Sequence, residues 1–244
     1  MLFLSVSDKH KAIYIHIPKV AGTYIHSILI KYYDFVHLKN DKTVEEHLEF
    51  IENTNLDELY DGRRKIYNMR IKGIMRYVEN ILSDEKYKDY YKFTFVRNPY
   101  TRIISGWKYC LNNQSQYSAK YKDSVENHYD DYEFDDFLQN GPTNCSDFSY
   151  LHSFISQTDH LMNSENKIDF QFIGKLENLK EDLLTVLKNL NITEFTHIDS
   201  KYGNTAKNYS MITKPNSFYL TPENISIINK LFEKDFINFN YPLK

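Results

Sequence analysis

Residues 18–23 read PKVAGT, a short loop whose composition suits the binding of an anion. Small residues such as Ala21 and Gly22 let main-chain amides approach phosphate or sulfate oxygens, and Lys19 adds a positive charge. An ordinary turn between a strand and a helix has a similar composition. The GxxxxGK(S/T) pattern, whose hydroxyl residue would hold magnesium beside a nucleotide, is missing from the sequence. The loop therefore indicates anion binding, but not the magnesium-dependent nucleotide binding of the GxxxxGK(S/T) loop.

A second candidate site lies in the segment RNPYTRIIS at residues 97–105. Arg97 and Ser105 are eight residues apart, a distance that a strand, a turn and a helix can fold onto one anion. The arginine would present a planar pair of donors and the serine a hydroxyl. A surface salt bridge and a helix-surface serine are the alternative for either residue alone. The pair, beside another anion-binding loop, favours a shared phosphate or sulfate site.

Both segments follow short apolar runs and precede helical patterns. Residues 12–17 (AIYIHI) and Tyr91–Val96 (YKFTFV) are predicted strands. Helices are predicted from Thr23, with Thr23 as the N-cap, and from Pro99 in a first turn. Ligands of parallel sheets bind at the carboxyl ends of the strands, which is where both segments lie.

The remaining sequence continues the alternation of strands and helices. A further strand is predicted at 169–174, and further helices are predicted at 43–53, 74–82, 132–140, 149–162, 177–190 and 221–239. Thr221 and Pro222 are the expected N-cap and first residue of the last helix. The pattern predicts one three-layer α/β domain over residues 1–244, with a mainly parallel central sheet flanked by helices.

Composition limits the partners and the location. The chain has 244 residues and a net charge of −3, which excludes a broadly basic nucleic-acid-binding protein. Its two cysteines, Cys110 and Cys145, lack metal-binding spacing and are expected to be reduced thiols. The apolar run at the start is too short for a signal peptide or a membrane span. We expect a cytoplasmic protein with no membrane span, no nucleic-acid partner and no metal.

Four segments together resemble the sulfotransferases that use 3′-phosphoadenosine 5′-phosphosulfate (PAPS). IHIPKVAGT resembles their 5′-phosphosulfate loop, and FTFVRNPYTRIISGW resembles their 3′-phosphate motif as found in the carbohydrate sulfotransferase branch. FIGKLENLKEDL and INKLFEKDFINFNY also resemble that branch, so the likeness extends over about residues 12–241. It implies a P-loop-like fold, PAPS as co-substrate, adenosine 3′,5′-bisphosphate as product, and an acceptor hydroxyl on a saccharide. A lipid-linked glycan, a peptide tyrosine and a small alcohol stay open as acceptors.

The resemblance also assigns roles to individual residues. It places Lys19 at the 5′-phosphosulfate and its bridging oxygen, and it places Arg97 and Ser105 at the 3′-phosphate. The residues that it assigns to the donor are Lys19, Val20, Ala21, Gly22, Thr23, Tyr24, Arg97, Ser105 and, from the segment KYGNTAK, Lys207. Arg102 and Glu177 also match family positions, and a structural role is expected for both.

The general base is the point at which this chain departs from the branch. Many relatives carry a histidine or an acid upstream of the 3′-phosphate motif, where this chain has NMRIKGIMR with Lys72. A lysine with an ordinary pKa of about 10.4 is protonated at neutral pH, so Lys72 is expected to stabilise the transferring group. We predict that a histidine takes the proton, with His152 favoured over His37 and His47. A nucleotide-binding relative without turnover and, more remotely, a P-loop-type kinase are the alternatives to an active sulfotransferase.

Overall fold

The computed structural model describes residues 3–38, 79, 81–112, 132–140, 153–195, 198 and 214–244. Its five strands are β1 (Phe3–Ser7), β2 (Ala12–His16), β3 (Val36–Leu38), β4 (Tyr91–Val96) and β5 (Phe172–Lys175). They form one sheet in the order β3-β1-β2-β4-β5. β2, β4 and β5 are parallel neighbours, and β1 runs antiparallel to both β2 and β3. Four of the five strands therefore share one direction, and the predicted α/β fold with a mainly parallel sheet is confirmed.

The helices are α1 (Gly22–Tyr32), α2 (Pro99–Asn112), α3 (Tyr132–Asn140), α4 (Gln157–Leu161), α5 (Leu179–Asn189), α6 (Pro222–Leu231) and α7 (Glu233–Asn238). Short 3₁₀ turns lie at Glu85–Tyr87, Leu176–Asn178 and Asn216–Tyr219. None of the helices in these described ranges has both the length and the apolar composition that a membrane crossing requires.

Helices cover both faces of the sheet. On one face, Ser5 of β1 contacts His26 of α1, and the space beside Gly174 of β5 is filled by Phe95 of β4 and by Asp182 of α5. On the opposite face, Lys92 of β4 lines a small cavity together with Leu161 of α4. Burial on both faces explains why all five residues of β2 are buried, as expected for an apolar strand inside a layered fold.

Helix starts agree with the sequence at two positions. α2 begins at the predicted Pro99, where the missing amide hydrogen is not needed. The hydroxyl of Thr221 accepts a hydrogen bond from the amide of Asn224, and Pro222 is the first residue of α6, so this predicted cap is confirmed. The single tail helix that the pattern predicted is instead two helices, which meet at Phe232. The predicted helix at 43–53 lies outside the described residues.

Strand β1 was not predicted. Its residues pair with β2 from Phe3↔His16 to Ser7↔Ala12, so the two strands form an antiparallel hairpin at the start of the chain. The hairpin places Ser5 beside Tyr14, on the face that α1 covers. This pairing adds two strands, β1 and β3, to the side of β2 that faces away from β4.

Three histidines pack against one another where α1 crosses this hairpin. The ring of His26 lies edge-on to the rings of His16 and His37, with centroids 5.8 and 5.1 Å apart. Ser5 Oγ lies 2.5 Å from His26 Nδ1. Burial, followed by the neighbouring histidine His26, lowers the pKa of His16 to about 3. Burial, and to a smaller extent the charge of His37, lower the pKa of His26 to about 4.

We predict that acid weakens the fold through this layer. An unfolded histidine has a pKa of about 6.5, so below that pH the unfolded chain binds protons that folded His16 does not bind. The free energy of unfolding should therefore fall as the pH decreases from about 6.5 toward the folded-state pKa of about 3. In urea titrations, His16→Asn should reduce this slope by up to about 1.4 kcal/mol per pH unit, the value for one proton. Tyr14→Phe is the control that changes the same layer without removing a titrating ring, and an unchanged slope in His16→Asn would contradict the prediction.

Candidate functional site

The loop after β2 turns twice through the left-handed region of backbone conformation. The φ angle is 69° at Lys19 and 63° at Ala21, which costs a residue other than glycine on the order of 1–3 kcal/mol. The carbonyl of Ala21 accepts hydrogen bonds from the amides of Tyr24 and Ile25 at 3.0 and 3.1 Å, so α1 begins there. The prediction of Thr23 as N-cap is wrong, because the turn at Ala21 starts the helix earlier and leaves Thr23 exposed in its first turn.

Gly22 lets the first turn of α1 lie directly against β2. A Cβ atom at this position would be 1.8 Å from both Cδ2 and Nε2 of the His16 ring, so a larger residue does not fit. Val20 is fully buried in the core, and it therefore offers the loop only its main chain. Tyr24 is half-buried on α1. The loop is thus held by the burial of Val20 in the core and by the packing of Gly22 against His16.

Arg97 joins the second motif to the first. It follows the last residue of β4, and its Nη1 donates a hydrogen bond to the main-chain carbonyl of Lys19 at 3.3 Å. Its Nε donates to Thr101 Oγ1 at 2.9 Å. Because β2 and β4 are adjacent parallel strands, their carboxyl ends lie at the same edge of the sheet. The two motifs that the sequence singled out are therefore brought together by a direct contact.

A side-chain amide fixes the main chain of Arg97. Oε1 of Gln157 accepts from the Arg97 amide at 2.8 Å, and Nε2 of Gln157 donates to the Arg97 carbonyl at 2.8 Å. Asp235, which is completely buried, accepts from the amide of Gln157 at 2.8 Å and from its side chain at 3.3 Å. The same carboxylate accepts from the amide of Thr158 at 2.8 Å. Its charge is thus shared among donors at the start of α4, and α7 is tied to the position of Arg97.

Arg102 and Glu177 have structural contacts, in agreement with the role expected from the sequence. The Arg102 side chain is 1% exposed and donates to the carbonyls of Pro18 at 3.1 Å and Ile155 at 2.8 Å. Glu177 accepts from the amide of Asn98 at 2.8 Å and from the hydroxyl of Tyr241 at 2.9 Å. Burial, followed by the Glu177 charge, raises the pKa of Tyr241. Both side chains hold loops beside the site.

Ser105 lies on the less buried face of α2. Thr101, Ser105 and Lys108 share that face, since residues three and four apart are neighbours on a helix. The Ser105 hydroxyl makes no hydrogen bond to the residues that the structure describes. Tyr109, one residue further, is 42% exposed, and its ring centroid is 3.8 Å from Nζ of Lys19. This face of α2 and the loop at Lys19 thus border the same space.

Four of the other predicted site residues, His47, Lys72, His152 and Lys207, lie outside the described residues. The Nδ1 atom of His37 is 3.1 Å from the carbonyl of Leu4, and its ring packs on His26, so the contacts shown for His37 belong to the sheet and α1. In the described ranges, no group of three or more histidine, cysteine or acidic side chains is arranged to hold a metal ion.

Sequence reasoning missed three residues near the site: Lys108, Gln157 and Asp235. Lys108 had a usable signal, because it follows Ser105 by three residues in a predicted helix. Gln157 and Asp235 had none, since their contacts join segments 78 residues apart in the chain. Only the folded structure shows that they act on Arg97.

Comparison with known proteins adds an independent observation. The model of the sulfotransferase family matches residues 4–242. This chain belongs to the sulfotransferase family. The family implies the P-loop-like α/β fold, in agreement with the observed sheet and its flanking helices. No solved structure matches the chain at a significant level.

Curated relatives of this sulfotransferase-family chain have low sequence identity to it. Carbohydrate sulfotransferase 12 of Xenopus laevis is 27% identical over 264 residues, and that of Mus musculus is 25% identical over 266 residues. Both alignments cover 98% of this chain and 60% of the relative. Carbohydrate sulfotransferase 11 of Rattus norvegicus is 21% identical over 277 residues, with 98% and 66% covered. The chain thus spans about 60% of the length of the first two relatives.

We predict that Gly22→Ala destabilises the fold at the loop. The added methyl group would overlap the His16 ring, and an overpacked site of this kind costs about 1–3 kcal/mol. Urea denaturation measures the change, and Ser27→Ala, on the exposed side of α1, should change stability by less than about 0.5 kcal/mol. In the double variant His16→Ala/Gly22→Ala, the loss in free energy of unfolding should be smaller than the sum of the losses in the two single variants. Additive losses would show that the two residues do not contact each other.

Proposed function

We propose that this protein transfers the sulfuryl group of PAPS to a hydroxyl group on a carbohydrate. The observation that carries the proposal is the hydrogen bond from Arg97 to the carbonyl of Lys19, which joins two anion-binding segments at one sheet edge. Membership of the sulfotransferase family supports the reaction class, and the names of the matched relatives support a carbohydrate acceptor. The residues fit a donor with two separate anionic groups, because each segment supplies its own cation.

The described residues suit the binding of the donor's two ends. The loop at Lys19, with main-chain amides of Ala21, Gly22 and Thr23, would hold the 5′-phosphosulfate. Arg97 and Ser105 would hold the 3′-phosphate, the arginine by charge-assisted hydrogen bonds and the serine through its hydroxyl. PAPS supplies an activated sulfuryl group, and its transfer leaves adenosine 3′,5′-bisphosphate.

Lys19 has the chemistry needed for the transfer step. In an in-line transfer the bridging oxygen of the leaving group gains negative charge, so an ammonium group aimed at it stabilises the transition state more than the ground state. The Tyr109 ring, 3.8 Å from Lys19 Nζ, restricts where that ammonium lies. The main chain of Lys19 is held separately, through the hydrogen bond from Arg97 to its carbonyl.

We predict that Lys19→Ala binds the bisphosphate product more weakly and loses most of the transfer activity. Charge-assisted contacts are worth about 1.5–3 kcal/mol each, so the loss of one should weaken binding at least about tenfold. Calorimetry with adenosine 3′,5′-bisphosphate and an assay of sulfate transfer from PAPS measure the two effects. Lys31→Ala, an exposed lysine on α1, is the matched control and should behave as wild type. Failure of the wild-type protein to bind the bisphosphate would overturn the proposed function.

The acceptor hydroxyl must lose its proton, and we predict that a histidine accepts it. Lys72 would then support transfer as a cation, and His152 is favoured over His37 and His47 as the base. Alanine variants at these three histidines should include one that retains bisphosphate binding and loses turnover. Normal turnover in all three would contradict the prediction. Donor binding by the wild type without transfer to any saccharide would instead favour a nucleotide-binding relative that lacks activity.

A further inference from the structure

Lys108 lies on α2 at the position that continues the face of Thr101 and Ser105. Residues four and three apart along a helix point to the same side, and 101, 105 and 108 follow that spacing. All three are partly exposed, whereas Arg102, Ile104 and Trp107 between them are buried. The ammonium group of Lys108 is therefore directed to the side of the helix that carries the Ser105 hydroxyl.

The surroundings of Lys108 hold a cation without neutralising it. Its Nζ donates to Oδ1 of Asn216 at 3.2 Å, and it lies 5.6 Å from the ring centroid of Tyr219. Among the described residues no carboxylate pairs with it. Arg97 bonds to Thr101 on the same face of α2 at 2.9 Å. Burial, followed by repulsion from the positive charge of Arg97, lowers the pKa of Lys108. An anion placed between them would remove this repulsion.

We propose that Lys108 is a third ligand of the donor's 3′-phosphate, beside Arg97 and Ser105, and that it exchanges Asn216 for a phosphate oxygen when the nucleotide binds. The inference rests on the proposed function, which supplies a nucleotide with a 3′-phosphate. A phosphomonoester carries about −1.5 to −2 charges at neutral pH, more than the single charge of Arg97 neutralises. Lys108 adds the second positive charge on the same side of α2. It would make the site select nucleotides that carry the 3′-phosphate.

The competing explanation is that Lys108 only ties α2 to the segment at Asn216–Tyr219. Aromatic packing already holds that segment: the Tyr219 ring centroid lies 5.0 Å from that of Trp107 and 5.5 Å from that of Phe134. Tyr219 is 2% exposed, so this packing excludes water. The hydrogen bond from Lys108 to Asn216 is only partly buried, so water competes for both groups. The two explanations differ in what removal of Asn216 should do.

The test compares two ligands by calorimetry: adenosine 3′,5′-bisphosphate and adenosine 5′-monophosphate. Lys108→Met, which keeps an unbranched apolar stem and removes the ammonium group, should weaken bisphosphate binding by about tenfold to a hundredfold. Monophosphate binding should change less than about twofold, because that ligand lacks the 3′-phosphate. Lys188→Met, at an exposed position of α5, is the matched control and should alter neither affinity. Equal weakening of both ligands, or no weakening of either, would overturn the proposal.

Asn216→Ala distinguishes phosphate binding by Lys108 from a purely structural role for this residue. If Lys108 exchanges Asn216 for phosphate, removal of the amide should leave bisphosphate affinity unchanged or increase it. If Lys108 only ties α2 to the segment at Asn216, Asn216→Ala should reproduce the loss of bisphosphate affinity seen in Lys108→Met, and the proposal fails. Arg97→Ala separates this failure from that of the proposed function. If Arg97→Ala loses the preference for the bisphosphate and Lys108→Met keeps it, the role proposed for Lys108 is wrong and the proposed function stands. If the wild-type protein binds neither ligand, both proposals are wrong.

Discussion

The site depends on hydrogen bonds from arginine side chains to main-chain carbonyls of the first loop. Arg97 donates to the carbonyl of Lys19, and Arg102 donates to the carbonyl of the preceding residue, Pro18. These contacts join the loops that follow two adjacent parallel strands. A carbonyl acceptor fixes a guanidinium group without cancelling its charge, whereas a carboxylate would do both. The loops are therefore held together by contacts that do not themselves cancel the charge of either guanidinium group.

The C-terminal helices contribute to this edge through a chain of buried polar contacts. Asp235 of α7 is completely buried, and a buried carboxylate is tolerated only when donors surround it. Its donors belong to Gln157 and Thr158, and Gln157 in turn binds both the amide and the carbonyl of Arg97. The position of an arginine in the first half of the chain thus depends on a residue near its end.

Local patterns predicted some elements closely, whereas β1 and the partners of the site residues depend on long-range contacts. β4 and the start of α2 at Pro99 have the predicted bounds, because an apolar run and a proline are strong local signals. The prediction of Thr23 as N-cap rests on the general preference for threonine at that position. It fails because nothing in the sequence shows that Ala21 adopts a left-handed conformation. The partners of Arg97 and Lys108 could not be predicted, because periodicity gives the direction of a side chain and not its neighbour from another segment.

The start of α1 is held by packing and not by a side-chain cap. Within the described residues no side chain caps this helix, and Ala21 has a left-handed conformation in place of the extended one that a capping residue usually adopts. A capping side chain would occupy amides of the first turn, and an acidic one would also repel an anion. The first turn of α1 contains no acidic residue. Packing compensates: Gly22 allows the turn to press on His16, and Val20 and Ile25 are completely buried. The loop is thus held by its apolar side and by the contact of Arg97 with the Lys19 carbonyl.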